Sequence, residues 1–173
     1  MDANIPDSSI YHRIFHYASV ENLVYWLTGA LVWIPWYFSE MLGMLGMLVF
    51  TPLFIFLSTL YSLNKVPQRD WRKEIWVIIS TFVVTCVIID LFFWVMWRGH
   101  KILEWYLPIT KVGVGNFIGY LEMFVVGYIS MELAFRSPRV RRLKKRLSFS
   151  LKLIIVSGVT LFLFSLISAI LFW

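Results

Sequence analysis

The sequence predicts an all-α integral membrane protein, a single domain over residues 1–173 built as a bundle of about five transmembrane helices. Of the 173 residues, 60% are hydrophobic and 18% are aromatic, whereas roughly half the residues of a soluble domain are apolar. These residues form long uncharged runs separated by short polar connections, and a membrane-spanning helix needs about 20 predominantly apolar residues. A soluble fold of this size could not bury so much apolar surface.

The charged residues, 15% of the chain, are gathered in the connections, and the 16 Lys and Arg outnumber the 10 Asp and Glu. Clustering of this kind orients membrane spans, so no nucleic-acid partner is expected. If the N-terminus is cytoplasmic and there are five spans, every basic residue except Arg98, Lys101 and Lys111 falls on the cytoplasmic side. We therefore expect a plasma-membrane protein with its N-terminus in the cytoplasm and its C-terminus on the opposite side.

Residues 1–21 are predicted to form a polar lead and a short helix on the membrane surface. Asp2 and Asp7 interrupt this segment, which argues against a cleaved signal peptide. His12 and His16 are four residues apart and so share a helix face, the spacing of two metal ligands. Because further ligands are missing nearby, a solvated polar face is favoured over a metal site.

Five apolar runs are predicted to be the spans. They cover approximately residues 22–39, 44–63, 74–97, 112–135 and 153–173. The first two are expected to be antiparallel helices joined by a tight turn near Glu40, Gly43 and Gly46, because glycine tolerates turn geometry. The first run is short, and a re-entrant or tilted surface segment is an alternative for it.

A short basic amphipathic helix is predicted over residues 137–148, just before the last span. Ser137 followed by Pro138 is an N-cap and first-turn signature. The candidate residues for binding lipid headgroups are Arg139, Arg141, Arg142, Lys144, Lys145 and Arg146. Such a segment is expected to rest on anionic headgroups of the bilayer. The alternative is that these charges only set the topology.

Small residues and one amide mark the face of the fourth span that should meet protein. Gly115, Gly119 and Gly127 would let neighbouring helix backbones approach closely. Asn116 falls on the same side of the helix. The sequence therefore predicts that this face packs against the rest of the bundle.

Two acids lie inside predicted spans, Asp90 in the third and Glu122 in the fourth. An acid at this depth is costly and usually faces a partner or a cavity. Counting 1.5 Å per residue from the 98–111 loop places the two at similar depth. We therefore expect Asp90, Glu122 and Asn116 to share a polar site for a proton or a cation. The alternative is a protonated acid making a static hydrogen bond between helices.

Several chemistries are disfavoured by the residues present, and no cofactor or metal is expected. No His falls inside a predicted span to ligate haem, and no phosphate-cradling glycine loop is present. Cys86 is the single cysteine, which excludes an intrachain disulfide.

The favoured function is a transporter or channel component that handles a proton, a cation or a small solute. The alternatives are an accessory or scaffolding subunit and, less favoured, a lipid-modifying enzyme using His100 or Glu104. A homo-oligomer and a partner membrane subunit are both compatible with these functions.

Overall fold

The structure, a computed structural model, describes residues 9–147 and 150–172. The start of the predicted surface segment (1–8), two residues after the basic helix (148–149) and residue 173 lie outside the described residues. The helices are α1 (Ile10–Phe38), α2 (Glu40–Leu63), α3 (Trp71–Ile89), α4 (Ile102–Tyr106), α5 (Lys111–Arg136), α6 (Pro138–Arg146) and α7 (Leu151–Phe172). A 3₁₀ turn (Gln68–Asp70) precedes α3, and a π-helical segment (Asp90–Trp97) continues it. The all-α class is confirmed over the described residues, which contain no strand.

Three helical units are long and apolar enough to cross a membrane. They are α2, the continuous unit Gln68–Trp97 and α5. A fourth is added if α6 and the Leu151–Ile167 part of α7 form one span bent by 77°. The described residues thus contain three helices, or up to four, with the length and composition of membrane spans, whereas membrane integration and the count of five spans stay predictions.

α1 differs from the predicted pair of a surface helix and a separate span. It is one continuous helix of 29 residues, or roughly 43 Å at 1.5 Å per residue. The prediction ends the surface helix at residue 21 because a run without formal charge begins at Asn22. Glu21 is instead only 1% exposed, and the Asn22 amide oxygen accepts a hydrogen bond from Trp26 Nε1 at 3.2 Å. These polar groups face protein, so they do not end the helix.

The turn between α1 and α2 also differs from the prediction. It consists of Ser39, whose backbone is extended (φ −159°, ψ 123°), and α2 begins directly at Glu40. Gly43 and Gly46 lie inside α2 and not in the turn. A Cβ atom at Gly46 would lie 3.0 Å from the Leu31 carbonyl oxygen. The missing side chain at Gly46 therefore allows close packing of α2 on α1.

The core is formed by α1, α2, α3 and α5, and α7 packs along α1. At the 64–73 end of the bundle, Glu74 of α3 is buried against α1. Its Oε1 atom accepts hydrogen bonds from Tyr17 Oη at 2.9 Å and from Arg13 Nε at 3.0 Å. Donors from two successive turns of α1 thus hold one carboxylate, which fixes the height of α1 relative to α3.

α6 is joined to the end of α2 by reciprocal caps. Lys144 Nζ donates to the Leu63 carbonyl oxygen at 3.1 Å, and Asn64 Nδ2 donates to the carbonyl oxygens of Lys144 and, at 3.0 Å, Leu147. Each helix therefore supplies a side-chain donor to carbonyls at the C-terminal end of the other, where donors from within the helix run out. The predicted start of α6 is confirmed, since the Ser137 side chain accepts from the Val140 backbone N–H.

His16 offers a pH test of the packing between α1 and α2. Its side chain is 7% exposed, and its ring centroid lies 5.4 Å from that of Tyr61. Burial, together with the nearby Lys65 ammonium, lowers the pKa of His16 to about 4. The unfolded chain binds this proton near pH 6.5 and the folded chain does not, so the folded state loses stability as pH falls from about 6.5 to about 4.

We therefore expect acidification from pH 7 to pH 5 to cost the wild type about 2 kcal/mol more unfolding free energy than a His16→Gln variant. The measurement is the thermal unfolding midpoint of the detergent-purified protein at both pH values. His12→Gln is the matched control, because His12 is exposed on the same helix. Equal acid sensitivity of the His16→Gln and His12→Gln variants would contradict the assignment.

Candidate functional site

A cavity of about 100 Å³ lies among α1, α2, α3 and α5. The continuous helix Gln68–Trp97 is called the third helical unit below. The walls of the cavity are Glu21, Val24, Tyr25, Thr28, Gly29 and Val32 of α1; Met47, Thr51 and Ile55 of α2; Cys86 and Asp90 of the third helical unit; and Val112, Gly115, Asn116, Gly119, Tyr120 and Met123 of α5. Within each helix these positions recur three or four residues apart, which places them on one face. The cavity is therefore the meeting point of four helix faces.

Asp90 is an acid of the cavity with a hydrogen-bond donor on each carboxylate oxygen. It is 4% exposed, and its two carboxylate oxygens accept hydrogen bonds from the hydroxyls of Tyr25 in α1 and Tyr120 in α5. Trp94 Nε1 in turn donates to Tyr25 Oη at 2.8 Å. Donors on both oxygens offset part of the cost of burying a carboxyl group. Asp90 thus links three helices through one side chain.

The π-helical segment begins at Asp90. Segments of this type are rare and often occur at functional sites. The backbone N–H of Asp90 is shared between the carbonyls of Cys86 and Val87, and Tyr106 Oη donates to the Val87 carbonyl at 3.2 Å. The Val87 carbonyl thus accepts hydrogen bonds from both Asp90 and Tyr106, which ties the 98–110 connection to the point where the helix type changes.

Glu21 is the second acid of the cavity and differs from Asp90 in its hydrogen bonding. Its Oε1 atom accepts a hydrogen bond from the Cys86 thiol, with Sγ at 3.2 Å. Its Oε2 atom is buried and has no hydrogen-bond partner among the described residues, and the same holds for Thr28 Oγ1. Both residues line the cavity, and a buried polar atom without a partner costs about 1–3 kcal/mol, so the Glu21 carboxyl group is less fully hydrogen-bonded than that of Asp90.

Trp105 of α4 packs beside Asp90 at the 98–110 end of the bundle. It is 2% exposed, and its ring stacks on that of Trp94 with the centroids 5.2 Å apart. Asn116 Nδ2 donates to its carbonyl oxygen at 3.0 Å, and its side chain also interacts with the Asp90 carboxyl group. Trp105 therefore connects the 98–110 segment to two residues of the cavity wall, Asn116 and Asp90.

The structure brings together two of the three residues predicted for the polar site. Asp90 and Asn116 both line the cavity, whereas Glu122 is not among the lining residues. Glu122 is half-buried, and its Oε2 atom has no partner among the described residues. Rise per residue gives depth but not rotation about the helix axis, so sequence reasoning could not tell which α5 positions face Asp90. The same reasoning missed Glu21, although its spacing from Tyr25 and Thr28 placed all three on one face.

The predicted packing glycines fall into two groups. A Cβ atom at Gly127 would lie 3.0 Å from Ile79 Cγ1, a tight contact between α5 and α3. At Gly115 and Gly119 the nearest atoms belong to Met47, at 3.7 and 3.5 Å, which is ordinary contact. Gly127 therefore lies at a close helix approach, and the other two glycines border the cavity.

The predicted headgroup residues of α6 also divide. Arg141 Nη2 donates to the Phe135 carbonyl at 2.6 Å, and Lys144 caps α2, so both hold helix ends. The exposed members of the set are Arg139, Arg142, Lys145 and Arg146. The candidates for a lipid-modifying enzyme lie in the 98–110 connection, where Glu104 pairs with Lys101 at 3.0 Å and the His100 ring lies tilted by 42° against that of Trp105, with the centroids 5.0 Å apart.

The described residues contain no group of three or more His, Cys, Asp or Glu side chains placed to hold a metal ion. No protein-family model, curated protein or solved structure matches this chain.

Proposed function

We propose that this chain is a small multi-pass membrane protein, a transporter or channel component that binds a proton or a small cation between Glu21 and Asp90. The observation that carries the proposal is the state of Glu21, which lines the Asp90 cavity and whose buried Oε2 atom has no partner among the described residues. An intramembrane carboxyl group in this position is typical of an ion or proton pathway.

The connection between the two acids supports a shared charge. Cys86 binds Glu21 through its thiol and lies one helical turn before Asp90 in the same unit. Two carboxylates in a low-dielectric site cannot both stay ionised cheaply, so a proton or a cation must compensate at least one of them. Because the tyrosine hydroxyls hold Asp90, Glu21 is the group free to exchange its proton or cation.

The proposed orientation follows from the basic residues. Three basic residues lie at the same end of the bundle. Arg13 binds Glu74, Arg72 pairs with Glu132, and Lys144 donates to the Leu63 carbonyl. By the positive-inside rule this end is cytoplasmic, with α1 and α7 completing five spans in the plasma membrane. The Trp105 end of the cavity then faces the opposite side.

The alternative function is an accessory or scaffolding subunit in which the acids only lock helices together. The observation that favours it is the complete pairing of Asp90, whose two carboxylate oxygens already accept hydrogen bonds from Tyr25 and Tyr120. A partner membrane subunit or a second copy of the chain would then give the protein its function.

Flux through proteoliposomes separates the two functions. We expect wild-type protein to dissipate an imposed proton, Na⁺ or K⁺ gradient, measured with a pH- or cation-sensitive dye inside the vesicles. Glu21→Gln keeps the side-chain shape but removes its titration and charge, so flux should fall to the level of protein-free vesicles. Glu104→Gln is the control, because this acid is exposed and pairs with Lys101. Equal flux for wild type and Glu21→Gln, or none for any of these ions, would favour the scaffolding function.

A further inference from the structure

A second cleft lies on the outside of the bundle, between α7 and the π-helical segment. Its volume is about 550 Å³. α7 packs closely on α1 at Gly158, where a Cβ atom would lie 2.8 Å from Asn22 Nδ2. Because α7 packs mainly along α1, a gap remains between it and the end of the third helical unit.

The floor of the cleft is aromatic. Trp26 and Phe93 are 4% and 7% exposed, with ring centroids 5.0 Å apart, and Phe162 of α7 lies 5.2 Å from Trp26. The polar lining residue is Asn22, whose amide oxygen is already bonded to the Trp26 indole. Walls that offer so little hydrogen bonding favour a hydrocarbon occupant.

The rim of the cleft is open. Phe92 and Trp97 are 65% and 45% exposed, and Val159 on the α7 side is 48% exposed. The volume is well above the roughly 150 Å³ of a cavity that holds one benzene molecule. The cleft is therefore large enough for part of an acyl chain that enters from the side.

A positive charge lies at one end of this rim. Trp97 lines the cleft, and the Arg98 guanidinium lies over its ring, 5.8 Å from the centroid. Trp and Arg at the end of a span mark the level of the lipid headgroups. An acyl chain in the cleft would thus place its phosphate next to Arg98.

From this charge and these apolar walls, we propose that the cleft binds one acyl chain of an anionic phospholipid, with the phosphate at Arg98. The chain lies against Trp26, Phe93 and Phe162, and the exposed rim lets it enter from the bilayer. This binding site is separate from the cavity of Glu21 and Asp90, and it does not depend on the proposed transport function.

The test is photolabelling of the full chain in nanodiscs of phosphatidylcholine that contain a small fraction of phosphatidylglycerol with a diazirine in one acyl chain. We expect saturable labelling of peptides that contain Phe93 or Phe162. Val159→Trp fills the cleft and should abolish this labelling. Val156→Trp is the matched control, because Val156 is 54% exposed on the same helix but does not line the cleft.

The contact between Arg98 and the lipid headgroup is tested separately. Arg98→Gln should leave acyl labelling in place but reduce the preference for phosphatidylglycerol over phosphatidylcholine about fivefold, the size expected for one cation near an anionic headgroup. Unchanged labelling in Val159→Trp would overturn the proposal. So would loss of a homo-oligomer in Val159→Trp but not in Val156→Trp, because the cleft would then bind a second copy of the chain.

Discussion

Replacing Asp90 with leucine is expected to lower the thermal unfolding midpoint of the purified protein sharply. Leucine has a similar size but cannot accept the hydrogen bonds of Tyr25 and Tyr120. Each tyrosine hydroxyl would then be a buried donor without an acceptor, at about 1–3 kcal/mol each. The measurement is unfolding in mild detergent, with Asp70→Leu as the control, because the Asp70 side chain is 47% exposed.

A double-mutant cycle shows whether the tyrosines are the cause. Tyr25→Phe or Tyr120→Phe alone should destabilise the wild type, since each removes one donor from the buried carboxylate. In the Asp90→Leu background the same change removes an unpaired hydroxyl and should restore stability. If the effects of Asp90→Leu and Tyr120→Phe simply add, the hydroxyls do not depend on Asp90 and the arrangement is wrong.

Asp90 and Glu21 are expected to have different roles. Asp90 holds α1 and α5 to the third helical unit, so a change there alters both structure and charge. Glu21 lines the cavity. One of its oxygens is bonded to Cys86, and the other has no partner among the described residues. A flux defect in Glu21→Gln is thus the more specific test of ion handling, whereas a defect in an Asp90 variant must be compared with its stability.

The limits of several helices could be predicted from the sequence, because charges mark where a helix leaves an apolar environment. α5 runs from Lys111 to Arg136, within one residue of the predicted 112–135 at each end. α2 ends at Leu63, as predicted, directly before the polar 64–73 connection. Length and polarity along the chain contain this information, and no knowledge of neighbouring helices is needed.

The site could be predicted only in part, because it depends on how each helix is rotated. Asp90 was identified from its cost inside an apolar run, but Glu122, chosen for its depth, does not line the cavity. Glu21 was overlooked because a polar residue near a helix end resembles a boundary with water. Its burial follows from packing against Cys86, a residue 65 positions away. The π-helical segment likewise has no local sequence signal that we could identify.

Two pairs of basic residues on α6 are expected to have different effects when they are replaced, one on stability and the other on bound lipid. Lys144 is 8% exposed, donates to the Leu63 carbonyl, and lies 4.2 Å from the centroid of the Trp71 ring. Arg141 donates to the carbonyls of Ala134 and Phe135 at the end of α5. A hydrogen bond to a charged group contributes about 1.5–3 kcal/mol, and a cation is favoured at a helix C-terminus. Arg141→Gln with Lys144→Met should therefore lower the unfolding midpoint markedly.

Arg142 and Lys145 provide the matched pair, because both lie on α6 and both are exposed. Their replacement by glutamine removes the same two charges, so net charge is identical in the two double variants. We expect Arg142→Gln with Lys145→Gln to keep the unfolding midpoint but to reduce the anionic lipid that copurifies, since each exposed cation contributes about 1 kcal/mol at an anionic surface. Thermal unfolding and lipid extraction followed by mass spectrometry measure the two effects on the same preparations.

If the exposed pair retains all its lipid, α6 serves only to set topology and to cap α2 and α5. If both pairs lose stability equally, the caps do not distinguish Arg141 and Lys144 from their neighbours.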